Sequence, residues 1–159
     1  MSKATFAGRL LEAAELLLKN GTRSAVFRRR AVSTAYYAVF HAVDKLCADY
    51  VSRSAKRSSD EYLRVYRALD HAPLKNAFSQ SPLKDNPILR EIGAVVILLQ
   101  NERHRADYLP PVAGVFTHDR ATELVGMARE AVRQIETLKP ANKECRILAL
   151  NLLFKERKS

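Results

Sequence analysis

The chain has 159 residues, room for one domain that buries about two-thirds of its unfolded surface without help from disulfides. Its two cysteines, Cys47 and Cys145, stand in helix-like stretches with no CxxC or Cys/His spacing, which argues against a zinc site and makes them small core hydrophobes of a reducing compartment. Lysine and arginine number 27 against 17 acids, a formal net charge of +10, and such a surface attracts polyanions, although charge by itself does not separate RNA, DNA and an acidic protein.

The excess is concentrated. Residues 21–67 hold ten basic side chains, among them Arg28, Arg29, Arg53 and Arg57, against four acids. The opening twenty residues are interrupted by Glu12 and Glu15, and the longest apolar run, Ile92 to Leu99, is eight residues, so neither a leader nor a membrane span is expected and the location predicted is cytoplasmic. Only five glycines occur, none in GxGxxG or GxxxxGK[ST] spacing, and no nucleotide cofactor or metal is expected.

Helical periodicity runs through the chain. A first helix is predicted from Ala4 to Lys19, with Phe6, Leu10, Ala14 and Leu17 on one stripe and "NG" at 20–21 as its stop. A second runs from Ser24 to Tyr50. After the polar loop "SRSAKRSS" (52–59), Ser59 followed by Asp60 and Glu61 supplies an N-cap and an acidic first turn. Pro73 and "SQSPLKDNP" divide the next region into a short helix, a turn and a new start. Asn86 as N-cap and Pro87 at the first position open a helix to about Asp107, where "LPP" ends it; its "GAVVILL" has the look of a strand, but length and caps decide for helix. Two more helices follow, His118 to Leu138 behind Thr117, and Ala141 to Lys155. The expected fold is all-α: a single domain over 1–159, a four-helix up-down bundle with short accessory helices. Its core should include Leu10, Leu17, Val32, Tyr36, Val39, Val43, Ile92, Val96 and Leu99.

Chemistry concentrates on two of these helices. Arg30, Ser33, Tyr37, His41 and Asp44 fall within roughly an 80° arc and form one polar line, while Val32, Tyr36, Val39, Val43 and Leu46 share another face. On the helix over 86–107, Ile88, Ile92, Val95, Val96 and Leu99 mark the core line, and the same line continued reaches Arg103 and Asp107. An inward guanidinium needs an anionic or carbonyl partner; Asp107 is one turn away, and Tyr37 and His41 are candidates if the two helices touch. One reading is a buried network that fixes helix register; the other is a ligand cleft lined by Arg30, Ser33, Tyr37, His41, Arg103, Asp107 and Tyr108.

"AVSTAYYAVFHA" (31–42), followed some sixty residues later by "RHRADY" (103–108) at a helix end, resembles the HEPN superfamily, the higher-eukaryote-and-prokaryote nucleotide-binding helical domain, in its small stand-alone prokaryotic form. The resemblance implies an RNA- or nucleotide-binding module, often a homodimer, with a small nucleotidyltransferase as antitoxin partner in toxin–antitoxin pairs. Catalytic members are metal-independent endoribonucleases that use an arginine and, four to six residues on, a histidine followed closely by tyrosine. Arg103 and Tyr108 match that pattern, but Asp107 stands where the proton-transferring histidine is expected, and an aspartate near its ordinary pKa is a poor general acid at neutral pH. The endoribonuclease alternative therefore needs a rearranged catalytic site, Arg103 with His104 and His41. Arg64 and His71 satisfy the spacing on another helix and read as a basic helix end. The remaining alternative is a non-catalytic interaction or dimerisation bundle. For RNA, Arg28, Arg29, Arg53 and Arg57 are the expected phosphate-contacting surface.

Overall fold

A computed structural model describes residues 4–53 and 56–154. Seven α-helices follow one another: α1 (Phe6–Lys19), α2 (Ala25–Val51), α3 (Asp60–Tyr66), α4 (His71–Phe78), α5 (Pro87–Tyr108), α6 (His118–Thr137) and α7 (Lys143–Leu153), with a single 3-10 turn at Leu83–Asp85 and no strand among the described residues. Five starts are set by a side-chain cap: Thr5, Ser24, Ser59, Asn86 and Thr117 each accept a hydrogen bond from the amide three residues on. Such caps satisfy one of the orphan donors at a helix start, which is why the local sequence locates these ends so well. Positions 54, 55 and 155 of the expected loop and last helix lie outside the described residues.

Pro73 does not break its segment. It is the third residue of α4, inside the first turn, where a missing N–H removes no helix bond.

α2 is the central element, packed by α1, α5 and α6 along its length and by α3 and α7 nearer its C-terminal half. Its buried residues, including Ala31, Val32, Ala35, Tyr36, Ala38, Val39, Ala42 and Val43, go round the whole helix. Alanines at 31, 35, 38, 42 and 48 let neighbouring helices close in on every side, so the expected division into an apolar face and an open polar line does not hold; Ser33 and Asp44 of that line are buried as well.

Two core lines are displaced by one residue. In α1 the buried stripe is Ala7, Leu11, Ala14 and Leu18, with Leu10 and Leu17 half-buried at its flank and Phe6 exposed. Leucines at 10, 11, 16, 17 and 18 make much of the helix surface apolar, so periodicity permits either stripe; the small Ala7 and Ala14 allow the closer approach to α2 and select this one. In α5 Leu89, not Ile88, enters the core, followed by Ile92, Gly93, Val96 and Leu99. Val95 is half-buried.

Two arginines tie down the N-terminal end of α2, Arg28 to the turn before α2 and the segment leading into α6, Arg29 to the end of α5. Arg28 donates from Nε to the Phe116 carbonyl and from Nη1 to the Gly21 carbonyl, both at 2.7 Å. Arg29 donates to the carbonyls of Ala106, Leu109 and Pro110, satisfying acceptors that α5 leaves open as it stops. Arg29→Gln is expected to cost roughly 1.5–3 kcal/mol, the usual worth of hydrogen bonds from a charged donor. Urea denaturation measures it, and an unchanged midpoint would show that the segment after α5 holds without this cation.

Candidate functional site

Arg103 reaches the edge of the core because it continues the line Leu89–Ile92–Val96–Leu99 one turn beyond Leu99 on α5. Its guanidinium lies over the Tyr36 ring at 5.2 Å and the Tyr37 ring at 5.9 Å, on successive residues of α2. Nη1 stands 3.6 Å from the Asp107 carboxylate, and Ser33 donates to the same Asp107 oxygen at 3.4 Å. The Arg103 and Asp107 side chains are 15% and 19% exposed, although the main chain of Asp107, in the last turn of α5, is open to solvent. Arg103 Nε is buried and has no partner among the described residues. One donor of a permanent cation is thus unsatisfied, a costly arrangement unless something accepts from it.

Beneath Arg103 the Tyr36 hydroxyl meets His71 Nδ1 at 2.6 Å. Burial pushes the Tyr36 phenol well above its ordinary pKa, with the nearby Tyr37 adding to the rise and Arg103 opposing it, so the hydroxyl keeps its proton and donates it. His71 opens α4, stacks on Phe40 at 4.1 Å between ring centres, and receives Gln100 Nε2 on its carbonyl at 3.0 Å. Burial, and after it the Arg103 charge, lowers the His71 pKa against a small opposing effect of Asp70. His71 is therefore neutral at pH 7, and with Nδ1 accepting from Tyr36 its proton sits on Nε2.

A second phenol–imidazole pair lies one turn further along α2. Tyr66 of α3 donates to His41 Nδ1 at 2.6 Å, and the two rings stack. Burial raises the Tyr66 phenol to about 12, with Asp44 adding to it, and burial and then His71 lower His41. Phe40 bridges the pairs, in contact with both imidazoles.

Of the expected cleft, the structure brings Ser33, Tyr37, Arg103 and Asp107 together and leaves His41 one turn away, bonded to Tyr66. Arg30 is exposed on the rim of a groove instead. Tyr108 is 68% exposed and lies against His104, 4.9 Å between rings, on the outer side of α5. The trio Arg103, His104 and His41 is not assembled, because successive residues of a helix point about 100° apart and His104 follows Arg103 directly. The imidazole beside Arg103 is His71. Its spacing from Arg64 draws attention to it in the sequence, but Arg64 is on the exposed side of α3, and only the chain reversal between Tyr66 and His71 carries the histidine to α5.

The four basic-surface residues are differently used. Arg28 and Arg29 give their donors to backbone carbonyls, Arg57 is bonded to Asp49, and Arg53 lies over the Tyr50 ring at 5.1 Å. Because Arg28 and Arg29 already hold backbone carbonyls on either side of α2, less of this charge faces outward than the sequence implies.

Two cavities flank the polar line. One, about 510 Å³, is an open groove between the start of α2 and the end of α5, lined by Val26, Arg29, Arg30, Ala106, Val112 and Phe116 among others. The other, about 350 Å³, lies between the start of α1, α2 and α3 and contains the His41–Tyr66 pair in its wall. Among the described residues no group of histidine, cysteine and carboxylate side chains is arranged to hold a metal ion, and no helix is long and apolar enough to cross a membrane. No family model, curated protein or solved structure matches the chain.

Proposed function

We propose that the chain is a HEPN-type module that binds RNA or a nucleotide, its four long helices α1, α2, α5 and α6 forming the up-down bundle and Arg103 marking the binding cleft. The observation that carries this reading is the convergence of the two segments on which the resemblance rests: Arg103 of "RHRADY" lies over Tyr36 and Tyr37 of "AVSTAYYAVFHA", and Ser33 bonds Asp107. A guanidinium held on aromatic faces at the edge of the core, its side chain still 15% exposed, is suited to a phosphate oxygen. Homodimerisation and a nucleotidyltransferase antitoxin partner belong to the same proposal through the resemblance.

Binding is favoured over cleavage by the state of His71. His71 Nδ1 is taken up by the Tyr36 hydroxyl at 2.6 Å and burial lowers the ring's pKa, so it offers no imidazolium to protonate a leaving oxygen at neutral pH. A second reading, metal-independent RNA cleavage, is kept because the Tyr36–His71 pair stands against Arg103, as a rearranged arginine–histidine site requires.

Titration of labelled single-stranded RNA into the protein in EDTA tests both. Wild type should bind with an affinity that falls as salt rises, and Arg103→Ala should weaken binding about tenfold to a hundredfold, the worth of one or two charge-assisted contacts. Circular dichroism of the same sample should show the helices retained. RNA cut by wild type and left intact by both Arg103→Ala and His71→Ala would establish the second reading. No binding at low salt, or salt-independent binding equal in wild type and Arg103→Ala, would remove the first.

A further inference from the structure

The 350 Å³ cavity presents a set of donors that the Arg103 cleft does not use. Lys45 and Arg57 line it, together with Phe6, His41, Tyr62 and Tyr66, and no carboxylate does among the described residues. The two cations are held by one buried-side anchor: Asp49 takes Lys45 Nζ at 2.7 Å, Arg57 Nη2 at 3.2 Å and the Tyr62 hydroxyl at 2.9 Å. One carboxylate thus orders two cations and a phenol, and the group retains a net positive charge.

We propose that this cavity is a binding site for a phosphate dianion, free or as the terminal phosphomonoester of a larger molecule, held by Lys45, Arg57 and the His41 imidazole. The site is separate from the Arg103 cleft and does not rest on the RNA reading.

The groups that face it from each neighbouring element are consistent with an anion. From α2, His41 lines the cavity and shares Nδ1 with the Tyr66 hydroxyl, and with Tyr66 donating, Nε2 carries the ring proton. From α3, Tyr62 gives its proton to Asp49 and Tyr66 gives its proton to His41, so neither is ionised. Asp44 behind them is raised by burial to about 8 and carries little charge at pH 7. Burial works to raise Asp49, but its bonds from Lys45, Arg57 and Tyr62 prevail and keep it ionised. From α6, Glu136 is bonded by the Thr5 hydroxyl. Lys45 and Arg57 keep 34% and 66% of their side chains exposed, so both can turn toward a ligand without unfolding anything. The Phe6 ring, exposed and 4.7 Å edge-on to His41, offers an apolar wall to whatever the phosphate is attached to.

Calorimetric titration with inorganic phosphate at pH 7 in low-chloride buffer tests the site. In the Arg103→Ala background, which removes the other proposed phosphate contact, the protein should show one saturable site per chain, and adding either Lys45→Gln or Arg57→Gln should weaken it at least tenfold, while adding Arg90→Gln, an exposed cation on α5 outside the cavity, should leave it unchanged. Both cavity substitutions are at partly exposed side chains, and circular dichroism confirms that the variants are folded. Titrations with a nucleoside 5′-monophosphate and with 5′-phosphorylated and 5′-hydroxyl oligoribonucleotides, done in the Arg103→Ala background, identify the source. Tighter binding of any phosphorylated probe than its hydroxyl counterpart supports a site for the monoester, and equal binding of inorganic phosphate supports one for the phosphate alone. Absence of saturable phosphate binding in the Arg103→Ala background, or an equal loss on adding Arg90→Gln, which marks general attraction to a basic chain, would overturn the proposal.

Discussion

Asp44→Asn is expected to gain about 2 kcal/mol of stability relative to wild type between pH 6.5 and pH 8, because it lacks a pH-dependent fall that Asp44 gives the wild-type protein. Asp44 is 2% exposed in the C-terminal half of α2, one of its oxygens has no hydrogen-bond partner among the described residues, and burial raises its pKa to about 8. In the unfolded chain the same carboxyl titrates near 3.8. Between these values the folded protein holds a proton that the unfolded chain has lost, so stability decreases as pH rises, by about 1.4 kcal/mol per pH unit, and levels off above the folded pKa. His41 and His71 act in the opposite direction. Burial lowers both, so the unfolded state binds their protons and stability rises with pH up to about the ordinary imidazole value of 6.5. At pH 6.5 the unfolded imidazoles are still half protonated, so their rise offsets part of the Asp44 fall until about pH 7.5, and the difference between wild type and Asp44→Asn, in which the histidine contributions cancel, isolates the carboxyl. Urea midpoints of both proteins at pH 6.5, 7.25 and 8 measure the slope. A stability difference between wild type and Asp44→Asn that stays constant from pH 6.5 to pH 8 would mean that Asp44 is ionised in the fold.

Gly93→Val is expected to cost about 3 kcal/mol or more, and Gly126→Ala to gain about 0.5–1 kcal/mol, although both glycines sit inside long helices. Propensity alone would have both substitutions stabilise, since glycine is the less favourable residue in a helix interior. Contact decides otherwise at position 93. A Cβ there would lie 2.6 Å from Phe78 Cδ1 and 3.0 Å from Phe78 Cβ, and Phe78 is itself buried, so neither the ring nor α4 has room to withdraw. At 126 a Cβ meets nothing within 4 Å. Thermal unfolding of the two variants should therefore shift in opposite directions. If Gly93→Val unfolds like wild type, the α4–α5 contact is looser than the distance implies.

The ends of the helices were legible in the sequence because they depend on local chemistry. Ser59, Asn86 and Thr117 bond amides three residues away, and Pro87 needs only its own ring, so neighbours in the chain suffice. The all-helical class followed from periodicity for the same reason. The stripe that α1 buries did not follow, because its leucines satisfy two phases equally and the choice came from how closely Ala7 and Ala14 let α2 approach. Nor did the surroundings of the polar line. Helical angles place Ser33, Tyr37 and His41 on one side of α2, but burial of that side by α3, α4 and α5 is a matter of tertiary packing.

The same division runs through the site. Arg103 and Asp107 are neighbours because they are four residues apart on one helix, which any reader of the sequence can compute. That Arg28 and Arg29 hold backbone carbonyls rather than face solvent depends on partners some 80 to 90 residues away, which local spacing does not encode. His71 joins Tyr36 across 35 residues because the chain turns between α3 and α4, and this turn, not any motif, puts an imidazole beside Arg103. Local bonding rules thus determined where each helix begins and which residues share its faces, while long-range packing decided which face was covered, which cation was committed to the fold and which histidine reached the arginine.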